Sequence, residues 1–214
     1  MWRIGRNYKR LPLESFVVKI IFFGALAILI FCFSISILNK NKLESKEIDL
    51  VAVSVLGVHH LGYNYSIPEF YINKYGGSGI QREGGGSGVV CCVMIPKVWR
   101  PGLSVQVRWK VEDWSQEDRS EIEAGDFSSV TLRGIYIAQV PIEKYEKTGD
   151  LYLHFFSEAK VRIFPSLHSP LSSLHPVPYG EFPGGTNATS GERVKEIFSD
   201  AEKKEIVNRR NPWK

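Results

Sequence analysis

The sequence predicts a mainly β protein: an antiparallel β-sandwich or partly open barrel, carried behind a single N-terminal transmembrane helix and followed by a C-terminal helix. Three observations predict it. Ile20 to Leu38 runs for 19 residues without a charge. From Ile48 to Phe164 the chain breaks into short β-rich runs separated by glycine, proline and aspartate, with apolar residues alternating at period two. Over that same stretch no apolar repeat of period 3.6 is sustained.

Residues 1–19 form a basic segment in which Arg3, Arg6, Lys9 and Arg10 face only Glu14. The run 20–38 would measure about 28 Å as a helix, close to the hydrocarbon thickness of a bilayer. The basic flank places the N-terminus in the cytoplasm and the bulk of the chain outside it. A cleaved signal peptide fits less well, because the run is long and ends at Ser34-Ile35-Ser36 rather than at an A-x-A-like site. Cys32 follows Leu29-Ile30-Phe31, which puts a phenylalanine where a lipid-attachment site has a small residue. Residues 1–47 hold 8 Lys+Arg against 3 Asp+Glu, whereas residues 48–214 hold 19 against 20. The basic excess therefore concerns membrane topology, and no nucleic-acid partner is expected.

After a polar linker at 39–47, the β domain spans 48–165. Its predicted strands are Asp49 to Val58, Ser66 to Ile72, Gly88 to Ile95, Ser104 to Val111, Ser129 to Pro141, Leu151 to Phe156 and Lys160 to Phe164. Val105, Val107, Trp109 and Val111 alternate with Gln106, Arg108 and Lys110, so one face is buried and the other wet. The expected core adds Val53, Val55, Val93, Ile95, Ile135, Ile137, Leu153 and Phe155. Gly76 to Gly79, Gly84 to Gly88, Pro101-Gly102, Gly125-Asp126 and Thr148 to Asp150 read as turns. Residues 166–189, rich in Pro, Ser, Gly and Leu, read as an extended wrap or linker. A helix is expected over 190–210, with Ser190 as cap and Val194, Ile197, Phe198 and Ala201 on one face.

The segment Gly76 to Gly88 fails each glycine-rich motif on spacing. Gly79-x4-Gly84 is followed by Gly85 where a phosphate loop needs lysine, and the segment runs into Val89-Val90, a strand, where a dinucleotide fingerprint opens a helix. Neither Ser78 nor Ser87 has the flanking glycines of a nucleophile elbow. A hairpin or binding loop remains. Cys91 and Cys92 are neighbours in a strand, so their side chains should diverge; structural thiols are the favoured reading and a vicinal disulfide the alternative. His59-His60 should diverge for the same reason, and His154, His168 and His175 are dispersed, so no metal site, cofactor or catalytic triad is nominated. Glu112 to Asp126 carries seven acidic residues against Arg119, out of register with a calcium loop. With Trp114 as an apolar anchor, it is a candidate surface for a basic partner site.

The order Gly-rich loop, Val90-Cys91-Cys92-Val93, Ile95-Pro96, Trp99-Arg100-Pro101-Gly102 and alternating strand to Trp109 resembles an uncharacterised family of small exported proteobacterial proteins. Members carry a lipoprotein signal or membrane anchor and are often encoded beside phospholipase effectors of type VI secretion systems. The resemblance covers roughly Val53 to Phe164. It implies an inner-membrane protein with a periplasmic domain acting as an immunity protein, its partner a cognate phospholipase effector and its mechanism occlusion rather than catalysis. The expected contacts are Arg82 and Glu83 in the glycine-rich loop and Trp114, Glu117 and Asp118 in the acidic loop. A structural envelope or secretion-apparatus component is the alternative, and a periplasmic hydrolase the third reading.

Overall fold

The computed structural model describes residues 49–85, 90–180 and 187–210. The membrane span expected at 20–38 lies outside them. Among the described residues no helix is long and apolar enough to cross a membrane.

Among the described residues ten strands build two curled sheets. In the first, the order is β4 (Val90–Pro96), β1 (Leu50–His59), β7 (Asp150–Phe156), β8 (Lys160–Ser166) and β9 (Thr189–Ser190). In the second it is β10 (Glu192–Val194), β6 (Thr131–Pro141), β5 (Ser104–Asp113), β2 (Tyr65–Ile72) and β3 (Tyr75–Ile80). The seven expected strands are present within two residues at each end. The β1–β7 pair is parallel, with Val55 opposite Leu151 and His59 opposite Phe155, so the architecture is not wholly antiparallel.

Alternation then decides what lies between the sheets. Val55, Leu151, Leu153, Phe155, Val161 and Ile163 from the first sheet meet Ile67, Phe70, Val107, Trp109 and Val140 from the second in one core cluster. Ile137, expected in the core, is half-buried, because it pairs with Arg108 on the face of the second sheet opposite to the core residues Ala138 and Val140. Gly57 makes the approach of the sheets possible: a Cβ there would lie 2.5 Å from Ile80 Cδ1 and 2.8 Å from Phe70 Cε1.

Three local expectations are corrected. Gly76 to Gly79 is not a turn but the body of β3, where Gly79 lets the strand approach Pro68 closely; a Cβ would sit 2.7 Å from the Pro68 carbonyl oxygen. The acidic segment contains a short helix, α1 (Arg119–Glu123), capped by Asp118. The C-terminal helix, α2, spans Asp200–Arg210, and Ser190 lies in β9 instead of capping it. Ser199 is the cap: its hydroxyl accepts from the Glu202 N–H at 3.3 Å while the Glu202 carboxylate accepts from the Ser199 N–H at 3.0 Å, a reciprocal capping box. Glu202 also takes a two-pronged bond from Arg108 on β5, at 2.7 and 3.0 Å, which fastens α2 to the second sheet.

The outer face of the first sheet is covered by the chain after β8. Val177 joins Val58, Tyr152, Phe156 and Phe164 in a second buried cluster. Along this strap Leu167, Leu171 and Leu174 turn outward and are exposed, while His175 and Val177 turn inward.

Candidate functional site

Tyr65 pairs with Asp113, and Asp113 with Thr131, so β2 begins, β5 ends and β6 begins at one end of the second sheet. The loops 60–64, 81–85 and 114–130 therefore come together. At their centre stands Arg82. Its Nη1 and Nη2 donate to the two Glu117 carboxylate oxygens at 2.5 and 3.0 Å, and its Nε donates to the Tyr63 carbonyl at 3.0 Å. The guanidinium lies 4.2 Å from the Tyr63 ring centroid and 5.1 Å from that of Trp114. Planar stacking together with a two-pronged carboxylate bond is what arginine offers and lysine does not.

Trp114 is fixed from below. Its indole N–H donates to Ser66 Oγ at 2.9 Å, and that hydroxyl donates to Glu112 at 2.9 Å. Phe127 meets the Trp114 ring edge-on at 6.2 Å. Tyr63 and Phe127 remain 62% and 54% exposed, so this end presents a held aromatic surface around one internal ion pair.

Of the five residues singled out from loop composition, Arg82, Trp114 and Glu117 meet in this cluster. Asp118 does not join it. Its carboxylate accepts from the Ser120 N–H at 2.8 Å, the Ser120 hydroxyl at 2.6 Å and the Glu121 N–H at 3.3 Å, and the Ser120 and Glu121 bonds hold it below the usual carboxylate range. Glu83 is exposed and lines an adjoining pocket of about 170 Å³ together with His59, His60 and Gly180. Gly84 closes the loop over that pocket with φ +79°, its carbonyl accepting from the His59 N–H at 2.9 Å. A Cβ on Gly84 would lie 2.7 Å from the His59 carbonyl oxygen, so the loop needs glycine there.

Cys91 and Cys92 form a vicinal disulfide, and both are exposed. The favoured reading of packed structural thiols is corrected. On a regular strand the two side chains would diverge, but β4 bulges here: Val53 pairs with Val93 and Val55 with Val90, so β4 fits one extra residue against β1.

The histidines are not dispersed. His60, just past β1, His154 on β7 and His175 on the strap are buried in one row. His60 Nε2 lies 2.8 Å from His154 Nδ1, and His154 Nε2 lies 3.1 Å from His175 Nε2. The outer ends reach strap carbonyls: His60 Nδ1 to Gly180 at 2.5 Å and His175 Nδ1 to His168 at 2.6 Å. Parallel pairing of β1 with β7 lines up the first two rings, and Phe156 and Phe164 stack on the row at 4.9 and 5.0 Å. Burial lowers the pKa of all three, His154 furthest, with its two neighbours adding repulsion. His59 points elsewhere: its Nε2 donates to the Gln81 carbonyl at 2.7 Å and its Nδ1 accepts from the Leu61 N–H at 3.3 Å, which fixes one neutral tautomer. Among the described residues no group of three His, Cys, Asp or Glu is disposed to hold a metal ion. The only sequence signal for the row was His60 itself, one residue beyond an alternating strand.

No curated protein and no solved structure matches the chain. Residues 62–163, from the loop after β1 to the middle of β8, match a family model described as "Protein of unknown function (DUF3304)".

Proposed function

We propose that this protein is a membrane-tethered immunity protein whose β domain binds and occludes a lipase-type toxin of a type VI secretion system in the periplasm. One observation carries the binding half of the proposal: the Arg82–Glu117 pair stacked between Tyr63 and Trp114, with Phe127 beside it. Tryptophan, tyrosine and arginine are the residues in which binding energy concentrates at protein interfaces. Here their loops are already cross-linked before a partner arrives, so association loses little loop entropy. Because Arg82 and Glu117 neutralise each other, the aromatic rings supply the contact energy and the ion pair holds them in place. The toxin and the membrane half of the reading come from the resemblance carried by the Cys-Cys and Trp-Arg-Pro-Gly stretch and from the apolar run at 20–38. A tether at the membrane concentrates an inhibitor where a lipid-directed toxin acts.

The test is co-purification of the tagged full chain, in detergent, with the product of a neighbouring lipase gene, followed by a lipid-hydrolysis assay of the complex. A stable complex with hydrolysis abolished supports the proposal. Absence of both binding and inhibition removes it and returns the domain to an envelope or secretion-apparatus role.

A further inference from the structure

The histidine row permits a proton count. A carbonyl oxygen only accepts, so the bonds to Gly180 and His168 place protons on His60 Nδ1 and His175 Nδ1. In their neutral forms these rings then present bare Nε2 atoms to His154 from both sides. Neutral His154 owns a single proton and fills only one of its two contacts. One additional proton fills the other, giving one hydrogen in each of the row's four contacts. A second additional proton has no place to go: it sets two N–H groups against each other, or it breaks a ring–ring contact.

We propose that His60, His154 and His175 form an acid-opened latch that holds the strap, residues 167–180, on the first sheet while the row carries no more than one extra proton, and that releases it when more are bound. The geometry suits the role, because both ends of the row grip the strap and the middle ring belongs to the sheet. The surrounding charges do not relieve the conflict. From β8, Arg162 faces His154, but it is itself bonded to Glu143, at 2.5 and 2.9 Å. From β7 there is Tyr152, from the loop after β3 Arg82 and Glu83, beside β1 His59, and from the strap His168. Phe156 and Phe164 wall the row with apolar surface that solvates an added charge poorly. Burial, which holds these rings below the usual histidine range, acts in the same direction.

The sign and steepness follow from linkage. The latched row holds at most one extra proton and the released row three, so opening takes up at least two. Below about pH 6.5, the ordinary histidine value, the opening equilibrium should rise by roughly 100-fold per pH unit. Release would uncover Val58, Tyr152, Phe156 and Phe164, the apolar face now closed by Val177.

Hydrogen–deuterium exchange of the full chain in detergent micelles, corrected for the intrinsic pH dependence of exchange, tests this independently of any toxin. The reporters are strap amides such as Tyr179 N–H, bonded to the Pro170 carbonyl, and β5 is the internal reference. Strap protection should fall steeply between pH 6.5 and 5 while β5 stays protected. In His154→Phe, which leaves His60 and His175 without an opposing nitrogen, the steep fall should be lost. Strap protection that tracks β5 across this range overturns the latch, as does a His154→Phe strap with the wild-type slope. Should the variant not fold, the wild-type profile alone decides.

Discussion

The two faces of the first sheet are built from the same strands by opposite chemistry. The inner face of β1, β7 and β8 contributes Val55, Leu151, Leu153, Phe155, Val161 and Ile163, all at or near zero exposure. The outer face contributes Val58, His60, Tyr152, His154, Phe156 and Phe164, nearly as well buried beneath the strap. Burial alone therefore does not distinguish them. What differs is the dependence on protons: the apolar side chains of the inner face have no group to titrate, whereas the three histidines of the outer face do. Inner-face packing should set how stable the domain is, and outer-face packing should set how that stability changes with pH.

The largest break in this comparison comes from the inner face. Leu153 is fully buried, so Leu153→Ala should cost about 2–5 kcal/mol, seen as a lower denaturation midpoint, with the pH profile unchanged in shape. Acidification should act next, through the outer face. His59, His60, His154 and His175 have pKa values lowered in the fold by burial. The unfolded chain therefore binds protons that the folded chain refuses. Stability is intact above about pH 6.5 and falls below it, by up to about 1.4 kcal/mol per pH unit for each ring kept neutral. Chemical denaturation at pH 7.5, 6.5 and 5.5 measures this, and His154→Phe should flatten it. Gly57→Ala, which crowds Ile80 and Phe70 between the sheets, should cost about 1–3 kcal/mol without altering the pH profile.

The smallest effect belongs to the second sheet. Bonds from Arg108, then from the Ser199 N–H, hold the Glu202 carboxyl down to about 2. A depressed carboxylate contributes its stability above the unfolded value and loses it as pH falls from about 4.5 towards 2. Since Glu202 is partly exposed, Glu202→Gln should cost only about 1–2 kcal/mol. Faster amide exchange in α2, with the sheets unaffected, is the corresponding signature.

The strands were legible in the sequence because period-two alternation is a local property: β5 could be read from Val105, Val107, Trp109 and Val111 alone. The elements that escaped depend on distant contacts. β3 looked like a glycine turn because the reason for its glycines, the approach of Pro68, lies across the hairpin. The C-terminal helix is shorter than the sequence predicts because apolar spacing at Val194, Ile197 and Phe198 resembles a helical face, while Val194 pairs with Ile135 and Phe198 packs on Tyr71 and Arg108. At the candidate site, loop composition located Arg82, Trp114 and Glu117 but not Tyr63 or Phe127, which carry no charge pattern. It also grouped Asp118 with them, whose role as a cap appears only once α1 exists. The histidine row was invisible because His60 and His154 are 94 residues apart and meet only through the parallel pairing of β1 and β7.

The central claim is that the loop end around Arg82 is the surface that meets the toxin. The direct measurement is a titration of lipase activity with the full chain and with its Tyr63→Ala, Trp114→Ala and Leu171→Ala variants, each checked for folding by circular dichroism. The account predicts that Tyr63→Ala and Trp114→Ala weaken inhibition at least tenfold, while Leu171→Ala, on the exposed side of the strap, inhibits like the wild type. Undiminished inhibition by the two aromatic variants would contradict it.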